Sequence, residues 1–162
     1  MSHGLYLAAV FIHIVAACLW LGGMLFLMFA FIPGIKKHPD KVNLILLVSR
    51  KYRVAGTVAL IILLITGIMQ LEYRGVHWTL QYFTGSSFGR IAGLKILVFF
   101  GIVFISLIHD YYIGNRTIEA WKNDAENDQT IKLRNRSRLM GRISFLLALI
   151  AVFLGVILVR GW

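Results

Sequence analysis

Four long apolar stretches dominate the chain, each bounded by charged or turn-forming residues. Residues 5–32 hold no Lys, Arg, Asp or Glu, only His13, the thiol of Cys18 and the phenol of Tyr6 as ionisable groups, and end at Pro33-Gly34, a helix stop. Residues 54–71 are uncharged between Arg53 and Glu72. Residues 88–112 are apolar except for Arg90, Lys95, His109 and Asp110. Residues 143–159 are uncharged between Arg142 and Arg160. A hydrocarbon core is crossed by about 20 apolar residues in a helix. No stretch alternates as a barrel strand does. The pattern predicts an all-α integral membrane four-helix bundle, one domain over residues 1–162, with helices at about 5–32, 54–72, 88–112 and 141–160. A short amphipathic helix is expected around Trp121, between the third and fourth spans. There is no internal repeat and no low-complexity tract.

Composition removes the other classes. The 162 residues are 59% hydrophobic and 15% charged, where soluble domains carry roughly 45–50% apolar and about 25% charged residues. An ordinary soluble enzyme, a disordered chain and a disulfide scaffold are excluded, the last because Cys18 is the single cysteine. Val15-Ala16-Ala17-Cys18 has the form of a lipoprotein cleavage box. The preceding residues 1–4 carry no Lys or Arg, however, and the apolar run continues past the cysteine, so this segment is expected to remain as a span.

Charge orients the spans. The net charge is +10, from 17 Lys and Arg against 7 Asp and Glu. Lys36, Lys37, Lys41, Arg50, Lys51 and Arg53 lie between the first two spans, and Arg116, Lys122, Lys132, Arg134, Arg136, Arg138 and Arg142 between the last two. The opposite side holds only Arg74, Arg90 and Arg160, and Lys95 lies within a span. By the positive-inside rule both termini are extracytoplasmic, in a multi-pass protein of the cytoplasmic (inner) membrane. The basic balance then needs no nucleic acid partner. Its partner is the lipid bilayer, with anionic headgroups within reach of the basic segments.

Ionisable side chains inside a span are costly and mark candidate sites. His13 lies about two turns into the first span, among Ala9, Ala16 and Ala17, with Trp20 and Met24 on its helical face. Small neighbours leave room for a flat group, and an imidazole facing a bundle interior can ligate haem iron. The alternative is a neutral histidine bonded to a neighbouring helix. Lys95 is about two turns from the outer end of the third span, so the sequence sets it at the depth of His13. It could ligate iron as a neutral amine, pair with a haem propionate or an anionic substrate, or snorkel to the interface. His109 is fourteen residues further on, roughly 20 Å along the helix, at the cytoplasmic end beside Asp110, Tyr111 and Tyr112. His77 lies in an aromatic connection on the outer side. His3 could join a square-planar copper site with the terminal amine and two backbone amides. His3, His13, His77 and Lys95 together form a set of nitrogen donors toward one face, suited to copper, zinc or haem iron. His38 reads as a solvated loop residue. No Cys-X-X-Cys-His attachment is present, so a haem b would be held non-covalently. The Asp124-Ala125-Glu126-Asn127-Asp128 run lacks the glycine and closing glutamate of a calcium loop.

His13, Trp20-Leu21-Gly22-Gly23, Thr66-Gly67, and Phe88-Gly89-Arg90 followed by Lys95 resemble the pattern of the copper resistance protein D (CopD) family. The likeness covers residues 5–112. The His-to-Lys pairing is also similar to that of HemJ-type protoporphyrinogen oxidases, small membrane proteins that bind haem b. The resemblance implies a bundle, copper handling or haem binding, and an outward-facing site with His13 and Lys95 as its residues. It does not extend to His3, His77 or His109. No Met-x-x-Met ladder is present, and Met24 and Met28 read as packing residues, which weighs against copper conduction.

Three functions are therefore expected in turn. The first is a haem b protein, with copper a second candidate, in which His13 is an axial ligand and Lys95 or His77 is the opposite ligand or propionate partner. Its role would be electron transfer or oxidation of a small molecule such as a quinol, that is, a membrane oxidoreductase. The second is copper transport or delivery, with His109 as the second polar station. The third is a structural or assembly subunit. Gly89 and Gly93 permit close helix contact, within the bundle or in a homodimer. No carboxylate pair supports an acid–base assignment.

Overall fold

The structure is a computed structural model that describes residues 2–109, 115–124 and 127–161. Met1, Asp110, Tyr111, Tyr112, Ala125 and Glu126 therefore lie outside the described residues, and with them the terminal amine of the copper arrangement, the polar neighbours of His109 and part of the acidic run. Among the described residues there are helices and no strands. Four helices are long and apolar enough to cross a membrane: His3–Gly34, Lys41–Tyr73, Ser87–Leu107 and Asp128–Arg160. We label these α1, α2, α4 and α6. Two short helices, α3 (Leu80–Gly85) and α5 (Asn115–Asn123), complete the order. The chain divides into two compact units, Met1–Val76 and His77–Trp162.

The first unit is a helical hairpin. Ser2 caps α1, its hydroxyl accepting from the Leu5 amide at 3.4 Å. A wide π turn at Leu27–Phe31 precedes Pro33. Pro33 has no N–H to give the Phe29 carbonyl and its ring crowds that oxygen; the wider turn takes up the mismatch. α1 and α2 then pack antiparallel through small residues, with Ala9, Ala16, Gly56 and Ala59 buried. Trp20 lies over Gly56, its Cδ1 3.5 Å from the place a Cβ would take. The Tyr52 ring occupies the space of a Cβ on Gly23, and its hydroxyl donates to the Trp20 carbonyl at 2.6 Å.

α2 has 33 residues, about 50 Å at 1.5 Å per residue, against a hydrocarbon core of about 30 Å. The uncharged stretch beginning at residue 54 is only its apolar part. Residues 41–53 contain no Gly or Pro, so the helix runs on through Arg50, Lys51 and Arg53, which the hydropathy pattern assigns to a loop. α6 does the same through Lys132, Arg134, Arg136, Arg138 and Arg142.

In the second unit α4 starts at the cap Ser86, whose hydroxyl accepts from the Gly89 amide at 2.9 Å. Gly89 and Gly93 receive α3: the Tyr82 carbonyl lies against Gly89, and Phe83 Cδ1 is 3.3 Å from a Cβ position on Gly93. The glycine pair is thus used within the chain. α4 packs along α6, with Ala92, Ile102, Ala148 and Leu154 buried. The helix expected around Trp121 is α5, held on α6 by a Thr130 hydroxyl bond to the Ala120 carbonyl at 3.3 Å and by Arg134 stacked 4.1 Å over Trp121. Gly161, at φ 76°, ends α6.

Only 11–17% of the most apolar window of each long helix is buried. Phe11, Leu19, Leu97, Phe153 and Val159 are each more than 60% exposed. Apolar surface on this scale fits lipid, not water, and the chain is a multi-pass membrane protein.

Candidate functional site

His13 is half-buried in the α1–α2 seam. Its Nδ1 is 2.8 Å from the Thr66 hydroxyl, and that hydroxyl donates to the Ile62 carbonyl one turn earlier at 2.6 Å. A threonine has a single hydroxyl proton. With it directed at Ile62, the oxygen would accept from His13 and the imidazole would carry its proton on Nδ1. A histidine whose Nδ1–H is anchored in this way has the ring orientation and basicity of a metal ligand. Gly67 admits the imidazole itself: Cε1 of the ring is 3.6 Å from where a Cβ would stand. Ala9 and Ala16 are buried one turn to either side. His13, Trp20, Gly23, Thr66 and Gly67, quoted separately from the sequence, form one continuous seam in this unit.

Lys95 belongs to the second unit. Its ammonium lies 3.1 Å from the Cβ position of Gly155 on α6, so the missing side chain there is what admits it. The remaining donors each meet other partners. His3 Nδ1, the nitrogen an amino-terminal copper site would use, is 3.2 Å from the Tyr73 hydroxyl. Tyr6 stacks on Tyr73 at 4.2 Å and receives a bond from Arg74 at 3.3 Å. Ten residues separate His3 from His13 on α1, about 15 Å, so they occupy different layers. His77 is exposed and meets Tyr82 edge-on at 5.8 Å. His109 Nε2 is 3.1 Å from the Ser137 hydroxyl, at the far end of α4 from Lys95. His38 accepts from the Asp40 amide at 3.1 Å in an exposed turn. Among the described residues no three of His, Cys, Asp and Glu form a metal-holding group.

Sequence reasoning missed Tyr52, Ser137 and Gly155, and noted Thr66 only as part of a motif. A signal for Thr66 was available: a hydroxyl mid-span, where lipid offers no partner, must bond its own helix or the next.

No family model and no solved structure matches the chain. Over 148 residues it is 30% identical to a protein of Aquifex aeolicus (strain VF5) described as uncharacterized, and the match covers 90% of each chain. The chain belongs to that protein's family.

Proposed function

We propose that this chain is a haem b protein of the cytoplasmic membrane, with His13 as an axial ligand in the outer half of the spans. One observation carries the reading: the anchoring of His13 Nδ1 by a threonine whose own proton is committed elsewhere. That arrangement fixes the orientation of the ring in a segment where an ionisable side chain is otherwise costly. The chemistry of the donor fits haem iron. Bound haem would supply one-electron transfer, in service of a redox partner or the oxidation of a small molecule such as a quinol. The protein's part is to hold the imidazole in one tautomer, to exclude water with the small-residue seam, and to keep the porphyrin at one depth. Copper is the second candidate metal for the same nitrogen.

The test is the visible spectrum and metal content of the detergent-purified chain from haem-replete cells. The reading requires a Soret band and iron, both lost in His13→Ala while the helical circular dichroism persists. A colourless wild-type preparation overturns it, and copper in place of iron redirects it to copper delivery.

A further inference from the structure

The second unit opens a cleft of about 620 Å³ between the start of α4 and the end of α6, lined by Ser87, Arg90, Ile91, Ile157, Leu158 and Gly161. Its volume is that of a small-molecule site. Arg90 is exposed, one turn into α4, and donates to the Ser87 hydroxyl at 3.3 Å. A guanidinium has five N–H donors, so most of its bonding capacity is left for a ligand in the cleft. The surrounding charge has one sign. Residues 77–107 and 143–161 hold Arg90, Lys95 and Arg160 and no Asp or Glu. Arg160 immediately precedes Gly161, and Lys95 is one turn deeper than Ile91, its ammonium beside the Cβ position of Gly155. Arg90, Leu94 and Leu97 recur at helical spacing and are all exposed, so an apolar stripe leads from the guanidinium into the span.

We infer that this cleft binds a phospholipid of net negative charge, its phosphate on Arg90 and one acyl chain along Leu94 and Leu97. α4 begins at Ser87 and is apolar from Phe88 onward but for Arg90 and Lys95, which sets Arg90 at the edge of the hydrocarbon, within reach of the headgroup layer. A guanidinium fork matches two phosphate oxygens. A zwitterionic headgroup would bring a cation of its own among three others with no carboxylate to receive it, and an anionic headgroup would not. Snorkelling to water would satisfy Arg90 without a cleft and without preference among headgroups. The site lies within the second unit and stands whether or not His13 holds haem.

The experiment follows the thermal transition of the full-length chain in uncharged detergent as phosphatidylglycerol, phosphatidylcholine or soluble glycerol phosphate is added. A ligand of the folded state raises that transition saturably. Phosphatidylglycerol should half-saturate the shift at about a tenth of the phosphatidylcholine concentration, and glycerol phosphate should give none. Arg90→Gln should raise the phosphatidylglycerol half-point about tenfold. Arg90→Lys keeps the charge and loses the fork, and should fall between. Arg50→Gln, which removes a cation of the first unit, should leave the half-point unchanged. Without lipid, Arg90→Gln should melt with the wild type, since only the exposed bond to Ser87 is lost; this separates lost binding from lost folding. A half-point unmoved in Arg90→Gln, or moved as far by Arg50→Gln, overturns the assignment, as does a wild type that does not distinguish the two lipids. An equal shift with glycerol phosphate overturns it in favour of a soluble phosphate ligand.

Discussion

One proton on Thr66 decides what His13 can do. With that proton on the Ile62 carbonyl, the oxygen is left to accept from the imidazole. Thr66→Val should therefore leave Nδ1–H without its acceptor, costing about 1–3 kcal/mol of stability. Haem affinity should fall roughly 10–100-fold, the usual effect of removing an outer partner of a ligating histidine. Thr66→Ser should retain most of both, as measured by haem titration and thermal melting. His13 was legible in the sequence as a polar residue out of place. The tautomer was not, because it depends on where a residue 53 positions away sends a single proton.

At the scale of helices, close approach depends on particular glycines, and neighbours in sequence differ in what they do. A Cβ on Gly23 would meet the Tyr52 ring, whereas one on Gly22 meets nothing within 4 Å. Gly23→Ala should destabilise the first unit by about 1–3 kcal/mol through overpacking, and Gly22→Ala should be neutral or slightly stabilising. Thermal melting of the two variants in one detergent makes the comparison. In the second unit Gly89→Ala would press a methyl against the Tyr82 carbonyl, which is backbone and cannot swing aside. It should displace α3 and raise proteolysis around residues 77–86, while Gly85→Ala, with open space at its Cβ, should not. The spans themselves were readable because twenty apolar residues in a row have few other uses. The helical extensions were not, since hydropathy stops at the first charge and a helix does not. The partner of the Gly89 and Gly93 pair was left between the chain's own helices and a homodimer, because spacing alone shows a flat surface and not what covers it.

For the whole molecule, the distribution of Lys and Arg determines the direction of insertion. Thirteen of the 17 cationic residues lie on the side holding residues 33–53 and 113–142, and the extensions of α2 and α6 present many of them as helix surface. In a Cys18→Ser background, Ser2→Cys should react in intact cells with a membrane-impermeant maleimide, and His38→Cys should react only after lysis. The opposite labelling would turn the site to the cytoplasmic side. That the chain is a membrane protein was legible at this scale from composition alone, because 59% hydrophobic residues in 162 have no soluble core to fill. The proposed prosthetic group is not a property of composition, and the proposal turns on one bond. That bond is best tested by chemical rescue: purified His13→Gly is titrated with imidazole in the presence of haem and the Soret band is followed. The account predicts no Soret band without imidazole and a saturable return of the wild-type band with it. A full band in His13→Gly before any imidazole is added, or a wild type that takes up no haem, would contradict it.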